Sequence, residues 1–368
     1  MEKRIGEKME VPYANLNRLY QTHRTEIDSA IQECLDNSYY IKGPKVNEFE
    51  TKLTNYCKRS AVGVSSGTSA LLLAYEFAGI KRGDKVLVPS FTFISTAEML
   101  SKLGAIPIWV DCNLQDYTID IQDLKNKINK DIKAIVCVDI FGHVCDYDSI
   151  IPIAQEYGIP IIQDAAQSFG GEWNGKINGS YNDITCFSFY PAKNLFCLGD
   201  GGAVVSDIDI AKRIKMASDH GRTDKYMHEF LGWNERLDAI QANILNKLII
   251  NIDEWNQQRI DIAEKYDNNL KIKTGVLTAP YCKNVYNQYT IRTENREQLI
   301  DDLKERGIEC GIMWPLALHQ QPAYRSNISL PNTEKVTETI LSLPCWPYMK
   351  NDEVDYVIDT VNIFSENF

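Results

Sequence analysis

Between residues 85 and 164 short apolar runs alternate with longer amphipathic ones, and this pattern restricts the fold more than any other feature of the chain. Lys85–Ser90, Ile106–Asp111, Lys133–Phe141 and Pro160–Asp164 are predicted strands; the segments near Ser95–Leu103, Ile121–Ile128 and Tyr147–Tyr157 are predicted helices. Apolar runs of this length suit strands buried on both faces, and strands separated by helices are joined by crossovers. The expected class is α/β, a mostly parallel sheet with helices on both faces. Ligands of such open sheets bind outside the carboxyl ends of the strands, so residues just beyond each strand are the candidates for chemistry. Farther on, Leu237–Leu270 carries apolar residues at Leu237, Ile240, Ile244, Leu245, Leu248 and Ile249, a helical spacing. It is expected to lead from an N-terminal arm and large domain, 1–249, into a smaller C-terminal α+β domain, 250–368. The length of 368 residues agrees with about two domains.

Lys193 lies in Cys186-Phe-Ser-Phe-Tyr-Pro-Ala-Lys-Asn-Leu-Phe-Cys-Leu-Gly-Asp-Gly-Gly202, followed by the apolar run Ala203–Val205. This reads as a strand, a polar turn, a glycine-rich turn and a second strand. A lysine held between buried strands loses hydration, which favours the neutral, nucleophilic amine and allows a Schiff base with a carbonyl. The ordinary alternative is a solvated loop lysine. Asp164 ends the run Pro160–Gln163 and reads either as a helix N-cap before Ala165 or as an acid at the carboxyl end of a strand. Pyridoxal phosphate requires a lysine for its imine and an acid that keeps its ring nitrogen protonated, and Lys193 and Asp164 match that pair. Upstream, Ala61-Val-Gly-Val-Ser-Ser-Gly-Thr-Ser-Ala-Leu-Leu-Leu-Ala74 runs from a strand through a polar turn into a helix. Backbone N–H groups of Gly67, Thr68 and Ser69 at that helix start suit a phosphate, although serine and threonine also cap helices that bind nothing.

These three elements, in this order, resemble the sugar aminotransferases of the DegT/DnrJ/EryC1/StrS family, pyridoxal-phosphate enzymes of the aspartate-aminotransferase fold (type I). The likeness continues through Asn37-Ser-Tyr-Tyr-Ile-Lys-Gly-Pro44, Val88-Pro-Ser-Phe-Thr-Phe-Ile-Ser-Thr96, His220-Gly-Arg222, Leu231-Gly-Trp-Asn-Glu-Arg236, Tyr286-Asn-Gln-Tyr289 and Leu318-His-Gln-Gln-Pro-Ala-Tyr324. The resemblance implies that Lys193 forms the imine and then carries the proton between substrate and cofactor carbons. It pairs Asp164 with the ring nitrogen and Gln167 with the ring hydroxyl, sets Ser188 beside Gly67 and Thr68 at the phosphate, and stacks Phe93, with Phe91 as fallback, on the ring. Asn234 would reach across a homodimer interface to the neighbouring phosphate. The implied substrates are L-glutamate and a nucleotide-linked keto-sugar. Tyr190 and His319 resemble residues of members that aminate carbon 3 of a dTDP-3-keto-6-deoxyhexose, and Arg222 is a candidate for a carboxylate or diphosphate. Two departures stand out: Phe196 where many relatives have glycine, beside the cofactor turn, and Met313 where many have histidine, beside the sugar.

Other readings remain at this point. They are amination at carbon 4 and a cofactor-dependent dehydratase, which would carry histidine in place of Lys193. A lyase with a mobile cysteine and a non-catalytic relative acting as a binding protein complete the set. The formal charge of −11 and pI near 5.1 argue against a general nucleic-acid binder. The ten cysteines are scattered without a C-x-x-C, so neither a metal site nor a disulfide framework is expected, and Cys137 and Cys186 read as reduced core residues. The segment Met1–Lys8 lacks an apolar signal region and no run has membrane length; no membrane partner and a cytoplasmic location are expected.

Overall fold

The computed structural model describes residues 8–272 and 278–366; most of the Met1–Lys8 segment lies outside them. Strands β1 (Ser60–Val64), β2 (Lys85–Pro89), β3 (Ile106–Val110), β4 (Ile132–Val138) and β5 (Ile161–Asp164) are followed by the short β6 (Glu172–Trp173) and β7 (Lys176–Ile177). Then come β8 (Ile184–Ser188), β9 (Gly202–Ser206), β10 (Cys282–Lys283), β11 (Tyr289–Arg292) and β12 (Ile340–Leu343). Seven of them form the central sheet, in the order β1-β9-β8-β5-β4-β2-β3. The β3-β2, β2-β4, β4-β5 and β5-β8 pairs are parallel, and β9 runs antiparallel to both its neighbours. The reversal at β9 has a local cause. Residues 189–201 contain no helix, and a parallel strand would have required a helical crossover.

The predicted strands and helices before residue 165 are present, with no end shifted by more than three residues. The run predicted to continue to Phe141 stops at Val138, because Ile140–Gly142 forms a single 3-10 turn with Phe141 at φ 59°. Alternate residues of one strand feed opposite layers. Val86, Val88, Ala134 and Val136 pack against the helix Gly67–Phe77 side, while Leu87, Ile135 and Cys137 pack with Tyr147 and Ile150 on the other. Both faces are covered, which is why these strands read as continuous apolar runs.

The predicted helical stretch from Leu237 is two helices, Ala239–Leu248 and Ile252–Asn269, joined by a 3-10 turn at Ile249–Asn251. Beyond it, β11 and β12 pair antiparallel and pack with Ile252–Asn269, Arg296–Glu305 and Asn351–Ser365 around Tyr266, Leu299, Leu341 and Val357. Val11 joins this layer, its N–H donating to the Gly307 carbonyl at 2.9 Å. Leu318 and Leu330 pack back into the core of the large sheet. A cleft lies where the two layers meet, at the carboxyl ends of β4, β5 and β8. Among the described residues no helix is long and apolar enough to cross a membrane.

Candidate active site

The cleft encloses about 540 Å³. Asp164, the last residue of β5, is buried at its floor. Its Oδ2 accepts from Thr96 Oγ1 at 2.8 Å, and its Oδ1 accepts from the Ala166 N–H at 3.2 Å. Thr92 and Thr96, four residues apart, share a hydroxyl contact of 2.9 Å, so the start of the helix Ser95–Lys102 braces the carboxylate. No helix follows Asp164, which excludes the N-cap reading; Gln167 sits on a turn instead. Burial pushes the Asp164 carboxyl up, while Thr96, Ala166 and the nearby Lys193 pull it back toward ionisation.

Lys193 lies on a tight turn whose N–H donates to the Tyr190 carbonyl at 2.8 Å. Loss of hydration lowers its ammonium to about 8, against the opposing pull of Asp164. Three buried asparagines clamp the turn. Asn287 Nδ2 donates to the Ala192 carbonyl at 3.1 Å and to Asn194 Oδ1 at 2.9 Å. Asn194 Nδ2 donates to Asn256 Oδ1 at 2.7 Å, and Asn256 Nδ2 to the Phe169 carbonyl at 3.0 Å. The lysine turn is thereby tied to the loop that follows Asp164. Gly170 makes room: a Cβ there would lie 2.3 Å from Asn256 Nδ2.

A third feature completes the floor. Ser66 caps the helix Gly67–Phe77 by accepting from the Ser69 N–H at 3.1 Å, leaving the N–H groups of Gly67 and Thr68 on the cleft wall without an acceptor among the described residues. A Cβ on Gly67 would lie 2.7 Å from Ser188 Cβ, and one on Gly202 only 2.4 Å from the Ser66 carbonyl. The absence of both side chains lets three backbones converge into an anion cup. Above it stand Phe93, 52% exposed, and Tyr190, 54% exposed. Gln167 lines the same wall; its Oε1 accepts from the Phe141 N–H at 2.6 Å, which directs its amide nitrogen elsewhere.

A profile of the DegT/DnrJ/EryC1/StrS aminotransferase family matches residues 21–362. The chain belongs to this family. It is 37% identical over 370 residues to the dTDP-3-amino-3,4,6-trideoxy-alpha-D-glucose transaminase of Streptomyces venezuelae, covering 98% of each chain. The crystal structure of S. venezuelae DesV in complex with ketimine intermediate matches with a TM-score of 0.94 at 37% identity, over 97% of this chain and 99% of that one. The structure of NtdA from Bacillus subtilis with bound cofactor PMP matches with a TM-score of 0.89 at 26% identity, over 98% of this chain and 86% of that one. The protein is a pyridoxal-phosphate-dependent aminotransferase of the type I fold.

The residues present fit that cofactor. The glycine cradle with two free N–H groups suits its phosphate, the buried Asp164 its ring nitrogen and the exposed Phe93 its ring face, and Lys193 could supply the amine. When bound, the group provides an electron sink and a carrier for nitrogen.

The structure brings Gly67, Thr68, Phe93, Asp164, Gln167, Ser188, Tyr190 and Lys193 to this one cleft. Phe91, the alternative to Phe93, is buried in the core beside Tyr117, Phe141 and Trp314. Ser69 is removed from the phosphate set: its hydroxyl contacts Ser65 and Ser66 and donates to Glu235 Oε2 at 2.5 Å, and its N–H is capped. Three further candidates lie elsewhere. Asn234 is exposed on a separate cavity of about 500 Å³ beside Ile41, Asp200 and Arg236. Arg222 is held by Asp219 at 2.6 Å, which also accepts from Lys42 and Arg236. His319, expected at the sugar, is 1% exposed and off the cleft wall; Ser90 Oγ contacts its Nδ1 at 2.7 Å and Glu334 its Nε2 at 3.3 Å.

Of the two departures, Phe196 turns away into the core and stacks on Trp255 at 5.5 Å, so it does not reshape the cofactor side of the turn. Met313 does line the cleft, next to Trp314. Cys137 and Cys186 are buried free thiols, as are all the other cysteines except the half-buried Cys310. Burial pushes the Cys186 thiol well up, which disfavours the mobile thiolate that a cysteine-using lyase needs. Reading the sequence missed Thr96 and the clamp Asn194–Asn256–Asn287. The four-residue spacing of Thr92 and Thr96 was the available signal for the first; nothing local marks the second, which spans about 90 residues of chain.

Proposed function

We propose that this aminotransferase carries nitrogen from L-glutamate to carbon 3 of a nucleotide-linked keto-sugar, with a dTDP-linked 3-keto-6-deoxyhexose as the acceptor. The observation that carries the reading is the exposed Tyr190 at the cleft mouth, one tight turn before Lys193, in a chain similar along its whole length to a dTDP-3-amino-sugar transaminase. Lys193 Nζ would remove the α-hydrogen of the donor as a proton and return one at the acceptor carbon, the bound cofactor supplying the electron sink. Its depressed ammonium suits both directions near neutral pH. Asp164 holds the ring nitrogen's proton, with Thr96 fixing the carboxylate. Gly67 and Thr68 anchor the phosphate through backbone donors, and Ser188 adds a hydroxyl.

The same reading makes the active unit a homodimer. The exposed Ile41 lines the Asn234 cavity, and Leu231, 94% exposed, and the exposed Trp233 lie within three residues of Asn234 in the chain, apolar surface that a second copy would cover while Asn234 reaches the neighbouring phosphate. Incubation of the holoenzyme with L-glutamate, followed by 3-keto and 4-keto dTDP-hexoses, tests the acceptor. Product characterisation should find nitrogen at carbon 3. Selective use of the 4-keto sugar would overturn the assignment.

A further inference from the structure

A second cation on the cleft wall has no counter-charge. Arg259, on the helix Ile252–Asn269, is 5% exposed, and its Nη1 donates to the carbonyls of Cys345 and, at 3.4 Å, Tyr286. Its Nε has no partner, no bond leaves Nη2, and no carboxylate of the described residues pairs with it. A guanidinium taken out of water without an anion is strongly disfavoured, and burial indeed weakens its hold on the proton. The free Nε–Nη2 edge is one that carboxylates engage with two parallel hydrogen bonds.

Two more donors stand on the same wall. The Tyr13 hydroxyl, buried beside Ser342, makes no well-formed hydrogen bond. Gln288 receives the Ser342 hydroxyl on Oε1 at 3.1 Å, leaving its amide nitrogen as a donor. Among the described residues lining the cleft the cations are Lys193 and Arg259, and Lys193 is committed to the nitrogen-transfer chemistry. A donor such as glutamate enters with two carboxylates and needs a cation beyond Lys193.

We propose that Arg259, with Tyr13 and Gln288, forms a carboxylate subsite that seats a carboxylate of the amino donor. This rests on the reading of glutamate as donor. A carboxylate could also come from an acceptor sugar of the uronate type, and the two half-reactions separate the sources.

The test uses the holoenzyme and two probes that do not turn over. These are glutarate, which has the carboxylates but no amine, followed by calorimetry, and 2-methyl-L-glutamate, which lacks the α-hydrogen, followed by the cofactor's visible band. Arg259→Gln should weaken both by about 10- to 100-fold, the worth of a paired charge-assisted contact. Arg259→Lys should fall between, and Tyr13→Phe should lose a few-fold. The acceptor half-reaction, run from the pyridoxamine form with keto-sugar, should change less than about twofold. Equal probe affinity in wild type and variants would overturn the proposal. Loss confined to the acceptor half-reaction would overturn the donor assignment and give the carboxylate to the sugar. Should Arg259→Gln fail to fold, Arg259→Lys and Tyr13→Phe carry the same comparison. Should wild type bind glutarate yet ignore glutamate, the donor reading fails while the anion subsite stands.

Discussion

The floor of the cleft and the segment Asp219–Arg236 are both polar, and they are built on opposite principles. On the floor, each working group is held by partners from the same chain: Asp164 by Thr96 and Ala166, the lysine turn by Asn287 and Asn194, the helix start by Ser66. In the segment, one carboxylate, Asp219, gathers Lys42, Arg222 and Arg236, while Asn234 and Leu231 turn outward. Burial alone would push Asp219 up, but hydrogen bonds from the three cations hold it well below the usual carboxylate range. The polar groups of the floor are thus fixed by a strand end, a helix start and a clamped turn, whereas the outward segment leaves Leu231 exposed.

The largest effect should come from breaking the floor. Lys193→Ala removes the amine proposed to move the proton, and turnover should fall by about 10³-fold or more. Cofactor should still bind through the glycine cup and Asp164, so absorbance after dialysis separates lost chemistry from lost binding. A variant with near-normal turnover would remove Lys193 from its assigned role. Gly202→Ala should come next. Its Cβ would meet backbone at 2.4 Å, so the cup must open and cofactor retention should drop by at least about tenfold, with thermal stability lowered as well. A conserved cofactor affinity would show that the cup is not the phosphate site.

The two regions also differ in the pH range where they act: Asp219, held low by its cations, matters in acid, whereas the floor responds at higher pH. Lys193 titrates at about 8 in the fold and near the usual lysine value of about 10.4 when unfolded. The unfolded chain therefore holds more protons between those values, and this group contributes stability that is present above about 10.4 and lost as pH falls through about 8. For the same reason, the rate at which cofactor-free protein captures pyridoxal phosphate should rise with pH and level off above about 8. Stopped-flow absorbance of the covalent step tests it, and Lys193→Ala, which should bind the cofactor without bonding to it, should show neither that absorbance change nor its pH profile.

Leu231→Asp probes the other side of the comparison. A charge on this exposed side chain should leave the fold intact but shift sedimentation toward monomer, with activity falling on dilution more steeply than in wild type. A variant that sediments and dilutes like wild type would remove this surface from the interface.

What could be read from the sequence follows the same division. The alternation of runs that produced β2 to β5 is a local signal, because strands buried on both faces need apolar residues at every position. Asp164 and Gly67 stood out because each sits at a strand end or helix start, and Lys193 because it lies in the polar turn between two apolar runs, where local pattern and chemistry coincide. The asparagine clamp was not, since an asparagine at position 194 looks like any loop residue until Asn256 and Asn287 are brought beside it. Arg259 was hidden likewise: on a helix it reads as a solvated face, and only its burial without an anion singles it out.

His319 gives the smallest catalytic effect and the sharpest contrast between resemblance and geometry. Its resemblance to family positions suggested a sugar contact, yet its ring is buried between Ser90 and Glu334, and the His319 N–H also donates to Ser90 Oγ at 3.1 Å. These contacts fasten the 3-10 turn Leu318–Gln320 to the end of β2, where the Leu318 N–H donates to the Ser90 carbonyl at 3.0 Å. Replacing His319 with glutamine should leave Ser90 and Glu334 imperfectly paired and cost about 1–3 kcal/mol of stability. The melting temperature should fall by a few degrees, while kcat and the KM for keto-sugar stay within about twofold of wild type. A selective rise in that KM at unchanged melting temperature would return His319 to the sugar site, with the side wall of the cleft opening far enough to admit it.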